Sequence, residues 1–172
     1  MTWLALRARG GDSGALAGFV EAGYDGVWRL CASLVGESGA DDLAQETFAR
    51  AVKALPKFRG ESSARTWLLT IARHACVDEL RARTRRRRRD AAMGGGEEGQ
   101  VADASAQVTT ADLLSQLEPE RRTAFVLTQV IGLSYAEAAR VSECPTGTIR
   151  SRVARARADL VALVERAGKA AG

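Results

Sequence analysis

The sequence predicts an all-α protein: two small helical domains joined by a flexible linker, the second containing a helix-turn-helix. Three observations carry this. Apolar residues recur at three- and four-residue spacing, while β-branched residues form no alternating runs and aromatics make up 5% of the 172 residues. The stretch DAAMGGGEEGQVADASAQ, residues 90–107, is rich in Gly, Ala and acid and almost lacks large apolar side chains, so it has nothing to bury. Finally, residues 133–160, LSYAEAARVSECPTGTIRSRVARARADL, read as two helices around a tight turn.

In chain order, residues 3–9 form a short amphipathic helix stopped at Gly10-Gly11, and Asp12 or Ser13 caps the next one. That helix turns Leu16, Phe19 and Val20 inward. After interruptions at Gly23 and Gly26, Tyr24, Val27, Trp28, Cys31, Leu34 and Val35 continue the apolar face. Gly36-Glu37-Ser38-Gly39 breaks the chain, and Ser38 with Asp41 has the capping-box pattern. In DDLAQETFARAVKAL, residues 41–55, Leu43, Ala44, Thr47, Phe48, Ala51, Val52 and Leu55 share one sector, with Asp42, Gln45 and Glu46 opposite. Taken alone, that acidic face suits a solvated first helical turn beside the positive end of the helix dipole.

Pro56 and Gly60 bracket a loop, and Ser62 or Ser63 caps ARTWLLTIARHACVDELRAR, residues 64–83. Its apolar face is Ala64, Trp67, Leu68, Ile71, Ala72 and Ala75, and Arg65, Arg73, Arg81 and Arg83 stay polar. An aromatic and basic loop feeding an arginine-bearing helix suits single-stranded nucleic acid, although Phe58 and Trp67 also read as core, Trp67 the more so. The five arginines 85–89 are expected to leave the helix, as a basic arm with non-specific phosphate affinity. The boundaries are 1–86, linker 87–108, 109–167, and a disordered tail 168–172. Thr109 or Thr110 caps the first helix of the second domain, Pro119 starts the next, and Gly132 ends it.

In the hairpin, Ile149, Val153, Ala156 and Leu160 form a buried stripe. At roughly 100° per residue, Arg150, Ser151, Ala154 and Arg155 lie opposite. A basic, small-residue stripe opposite a core stripe, behind a short helix and tight turn, suits a major groove. The net charge of +4 hides segregation: residues 63–89 and 140–157 are arginine-rich, and no base lies between Arg29 and Arg50, a stretch holding Glu37, Asp41, Asp42 and Glu46. Two kinds of partner follow, one polyanionic and one basic. Three widely spaced cysteines read as reduced thiols, with no metal or redox spacing. No apolar run spans a membrane and no signal-peptide core opens the chain, so a cytoplasmic location is expected. No Walker loop, zinc spacing or nucleophile partner for His74 is present, so no enzyme, cofactor, metal or small-molecule substrate is expected.

Three segments in this order, DDLAQETFARA, KFRGESSARTWLLTIARHACVDELR and LEPERRTAFVLTQVIGLSYAEAARVSECPTGTIRSRVARAR, resemble the extracytoplasmic-function (ECF) group of bacterial sigma factors. These are the promoter-reading subunits of RNA polymerase. The resemblance implies that Asp42, Gln45 and Glu46 dock on the clamp coiled coil of core polymerase, with the flap as a further contact. It implies that Lys57, Phe58, Arg59, Ser63, Arg65, Trp67 and His74 open the minus-ten element and capture a flipped base. Many relatives have asparagine where this chain has His74, which bears on the base chosen there. It implies that Arg150, Ser151 and Arg155 face the bases and backbone of the minus-thirty-five element, while Arg152 and Arg157 suit phosphates. Core polymerase, promoter DNA and an inhibitory anti-sigma factor are the partners implied. A transcription regulator using the same hairpin without being the initiating subunit is the alternative, and a nucleic-acid enzyme ranks third.

Overall fold

The computed structural model describes residues 1–93 and 109–170, with side chains to residue 168. Eight α-helices are present among the described residues, and no strand. The first domain holds α1 (Thr2–Arg9), α2 (Ser13–Val35), α3 (Ala40–Ala54) and α4 (Ala64–Ala92). The second holds α5 (Thr110–Ser115), α6 (Pro119–Phe125), α7 (Tyr135–Ser142) and α8 (Thr146–Ala170).

Helix α2 begins where Asp12 accepts from the Ala15 amide, and it runs unbroken through both glycines that the sequence reads as interruptions. Gly23 is buried, and its missing side chain has a purpose. A Cβ there would lie 2.6 Å from a Leu68 methyl of α4 and 3.4 Å from the Phe48 ring of α3. Three helices therefore meet where α2 has no side chain. Around that point Phe19, Val27, Leu30, Phe48, Leu68 and Leu69 are buried, and Phe19 meets the edge of Phe48 at 6.5 Å between centroids. The capping box expected at Ser38 and Asp41 is absent. A 3₁₀ turn over Glu37–Gly39 leads into α3, whose first residue follows Gly39 with no side-chain cap. Asp41 instead accepts from Tyr24 Oη and Trp28 Nε1, each at 3.0 Å, which ties α3 to α2.

Cys31 and Cys76 are both buried, with sulfurs 3.6 Å apart between α2 and α4. The contact with Cys31 and the burial push the Cys76 thiol up, so it keeps its proton and packs as a small apolar group.

Helix α4 does not end before the arginine run. It continues through Ala92, so Arg85 to Arg89 and the first six residues assigned to the linker are helical. Glu79 explains part of this, accepting from Arg83 at 2.7 Å and Arg86 at 2.9 Å within the helix. The rest of the expected linker, 94–108, lies outside the described residues. The C-terminal tail is corrected likewise: α8 extends to Ala170, and only 171–172 lie outside the description. In the second domain Thr109 and Asp112 form a capping box, and a π-helical turn over Val126–Val130 follows α6. That turn leaves Val130 38% exposed rather than inward, as Val52 of α3 also is at 41%.

Replacing Gly23 by alanine tests the close approach. Alanine gains up to about 1 kcal/mol of helix propensity, whereas overpacking costs about 1–3 kcal/mol. A melting temperature lower by a few degrees is expected by circular dichroism; a rise would show that Leu68 moves aside freely.

Candidate nucleic-acid interface

The loop between α3 and α4 is shaped by Pro56 within a 3₁₀ turn, by Gly60 at φ +76°, and by Ser63. The Ser63 hydroxyl accepts from the Thr66 amide at 3.1 Å and starts α4. Its free polar capacity is therefore committed to the helix end. Phe58 is 4% exposed and packs 4.9 Å from Trp67, between centroids, which in turn leans on Phe19. Phe58 is thus a core residue, a correction to its reading as an exposed base contact, and it meets the surface only at the cleft described next; Trp67 is half-buried beside it. What the loop offers is a cleft of about 200 Å³ lined by Lys57, Phe58, Arg59, Gly60, Glu61, Ser62 and Trp67. Lys57 and Arg59 are exposed at its rim, and Arg59 is only loosely paired with Glu61 at 3.8 Å.

In the second domain, Ser134 and Glu137 form a capping box at the start of α7. The Ser134 hydroxyl and amide hold the Glu137 carboxyl below the usual carboxylate range. The turn closes on Glu143, in the left-handed region at φ 52°. Pro145 then accepts from the Thr148 amide at 2.9 Å, so it stands just before α8. Ile149, Val153 and Ala156 are buried, whereas Arg150, Ser151 and Arg155 are exposed along the outer face. The flanking arginines are engaged within the fold: Arg152 pairs with Glu120 at 3.0 Å, and Arg157 donates to Gln129 at 2.8 Å.

On α3, Asp42, Gln45 and Glu46 are all exposed. Glu46 pairs with Arg50 at 2.8 Å, and Arg50 reaches across to Asp78 of α4 at 2.9 Å. Arg50 therefore offsets part of the negative charge of Glu46 at the edge of the acidic face, whereas Asp42 makes no ion pair among the described residues.

The two domains touch, chiefly through α4 and α7. Glu143 lies 3.1 Å from His74 Nε2 and 3.7 Å from Arg73, and Arg73 is 3.9 Å from Glu120. Arg65 donates to the Ile131 carbonyl. Arg122 reaches the carbonyls of Leu34, Ser115 and Leu117, and burial pulls its guanidinium below the ordinary arginine value. Arg65 and His74 thus each make a contact with the other domain while staying exposed, and His74 borders a cavity of about 540 Å³ lined in part by Arg50, Arg81 and Asp78. Neither contact is legible in the sequence, because the partners lie 66 and 69 residues away.

Residues 19–86 match Sigma-70 region 2, and residues 109–160 match Sigma-70, region 4. The chain is 46% identical over 171 residues to the ECF RNA polymerase sigma factor SigC of Mycobacterium tuberculosis, covering 96% of this chain and 91% of that protein. It belongs to the ECF RNA polymerase sigma factors. The ECF RNA polymerase sigma-E factor of Escherichia coli is 31% identical over 169 residues, covering 90% of this chain and 88% of that one. Among solved structures, CnrH in complex with the cytosolic domain of CnrY superposes with a TM-score of 0.75 at 28% identity, over 96% of this chain and 97% of that one. The sigma factor RpoE of Bartonella quintana, in complex with the anti-sigma factor NepR, gives 0.65 at 30% identity over 87% and 94%. As a sigma factor the chain directs core RNA polymerase to specific promoters and helps open the DNA. The loop cleft and α4 fall within region 2, and the outer face of α8 falls within region 4 to residue 160. No described helix of this sigma factor is long and apolar enough to cross a membrane.

The contact between regions 2 and 4 combines ion pairs, worth about 0–1 kcal/mol each where exposed, with the hydrogen bonds of Arg65 and Arg122 to carbonyls. Glu143→Lys removes the acceptor for His74 and sets like charge against Arg73. The radius of gyration measured by small-angle scattering should then rise above the roughly 16 Å of a compact chain of this length. Unchanged scattering would mean that the Arg65 and Arg122 contacts suffice.

Proposed function

We propose that this sigma factor divides its work among three surfaces. Asp42, Gln45 and Glu46 dock on the clamp coiled coil of core polymerase. The cleft formed by Lys57, Arg59 and Trp67 takes a base flipped out of the minus-ten element. Arg150, Ser151 and Arg155 read the minus-thirty-five element, while Arg152 and Arg157 exchange their internal partners for phosphates. The observation that carries this reading is the pattern of exposure along α8, where one face is buried apolar and the opposite face presents two arginines without an intramolecular salt bridge among the described residues. A bidentate arginine–guanine pair discriminates by about 1–3 kcal/mol.

Lys57 and Arg59 sit where they would neutralise the backbone beside an extruded base, and the loop's fixed turn keeps the cleft formed. Taking a base out of the stack costs a few kcal/mol, so a ready cleft lowers the cost of opening. His74 joins this surface once region 4 moves away from it. The protein acts in the cytoplasm and carries no catalysis of its own; chemistry belongs to the polymerase. An anti-sigma factor holds it in check, as the solved relative bound to NepR suggests. Docking of both regions on one polymerase raises their effective concentration on one promoter.

Transcription by core polymerase with added protein on a genomic template set should start at defined sites. Arg150→Ala or Arg155→Ala should reduce it by about five- to a hundredfold at promoters whose minus-thirty-five element carries the contacted base, and less elsewhere. Equal loss on every sequence would limit these arginines to phosphate. Asp42→Lys with Glu46→Lys should weaken core binding in a pull-down by at least about tenfold while leaving the melting curve unchanged; retained binding would remove the clamp assignment.

A further inference from the structure

Helix α1 precedes the matched region 2, which begins at residue 19, yet it is fastened to the minus-ten loop along its whole length. Thr2 Oγ1 accepts from the Ala64 amide at 3.0 Å, where α4 starts. Leu6 lies against Gly60, where a Cβ would sit 3.6 Å from its nearest methyl. Arg9 Nη1 donates to the Phe58 carbonyl at 2.9 Å. At roughly 100° per residue, positions 2, 6 and 9 form one stripe, and the loop contacts all three while leaving Leu6 and Arg9 partly exposed. Leu4 and Ala5 face the core: Leu4 packs beside Gly18 of α2, and Ala5 is buried.

What remains outward is Trp3, next to the stripe that holds the loop. Its indole is 62% exposed, the most exposed aromatic side chain among the described residues. The Arg7 guanidinium lies 4.8 Å from the ring centroid and is itself tied to Asp12. Arginine stacked on one face of an indole, and held there by a carboxylate, leaves the other face open to a second flat group. A cation on the near face also favours a neighbour that carries negative charge. Arg7 and Arg9 share α1 with Trp3, and Lys57 and Arg59 are exposed on the loop that α1 holds, against Asp12 and Glu61, so a polyanion with flat rings fits better than an apolar protein surface.

We propose that Trp3 is a stacking platform for an unpaired base of the opened promoter strand, adjoining the base held in the loop cleft. This rests on the reading of that loop as the minus-ten site. Helix α1 would then act as an extension of region 2 that widens the single-stranded footprint by one base. Because α1 holds the loop by Thr2, Leu6 and Arg9, the platform and the cleft keep a fixed spacing.

The test uses holoenzyme reconstituted from core polymerase and the full chain. The probe is a labelled single-stranded oligonucleotide spanning the opened region of a promoter mapped by transcription. Affinity is read by anisotropy for the unaltered protein, Trp3→Ala, Trp3→Phe and Arg59→Ala. Stacking on an aromatic is worth about 1–3 kcal/mol per base, so Trp3→Ala should weaken binding about fivefold or more, whereas Trp3→Phe should retain most of it. Making one nucleotide of the probe abasic should erase the Trp3→Ala penalty, and that nucleotide should neighbour the one whose removal erases the Arg59→Ala penalty. A Trp3→Ala holoenzyme that binds like the unaltered one, while Arg59→Ala is weakened, would overturn the platform and leave the loop assignment standing. Loss of core-polymerase affinity in Trp3→Ala, with oligonucleotide binding by the remaining holoenzyme intact, would overturn it in favour of a protein contact. No effect from Arg59→Ala either would remove the loop assignment and the platform with it.

Discussion

The close approach of α2 to α4 at Gly23 sets the geometry of region 2. With no side chain on α2 at that point, Leu68 of α4 and Phe48 of α3 fill the space. A Cβ there would crowd the Leu68 methyl of α4, and α4 carries the loop end, the His74 surface and the arginine run on one axis. The placement of every proposed minus-ten residue relative to the acidic face of α3 thus follows from one missing methyl group. Asp41 adds the second constraint by binding Tyr24 and Trp28 together, which fixes the rotation of α3 and with it the outward aim of Asp42, Gln45 and Glu46.

Polar chemistry at the two helix starts does comparable work for the DNA-facing surfaces. Ser63 spends its hydroxyl on α4, and Ser134 with Glu137 locks the first turn of α7. Glu143 then ends α7 in a left-handed conformation that a non-glycine residue tolerates at a cost. The turn it makes presents its carboxylate to Arg73 and His74. A single residue therefore both shapes the helix-turn-helix and meets region 2.

Much of this was legible in the sequence because the signals are local. Helical periodicity identifies the buried stripe Ile149, Val153 and Ala156 and the exposed face opposite, and residue type and spacing narrow each of three caps to two neighbours, of which Asp12, Ser63 and Thr109 take the role. The failures have a common physical source. Gly23 reads as a break until the neighbouring helix that needs the space is known. Asp41 reads as a cap until Tyr24 and Trp28, 17 and 13 residues earlier on another helix, come within reach. Phe58 reads as an exposed stacking ring beside Lys57 and Arg59, but Trp67 and the rest of the core bury it. The continuation of α4 through Arg85 to Arg89 also differs from the expectation, since the change of composition after Arg89 reads as a helix end while the Glu79 pairs with Arg83 and Arg86 support the helix. Charge on one helix face is decided by which residues meet there, and linear order shows that only in part.

Helix α4 is a single rod of 29 residues, or about 43 Å at 1.5 Å per residue. A rod transmits azimuth as well as length. The arginines near its far end are phased against the promoter-opening loop by residue count alone, so the side of the rod they occupy is inherited from the position of Ser63. The chain's departure toward region 4 is likewise aimed by that axis, and the heading is built into the scaffold before any polymerase or duplex is met.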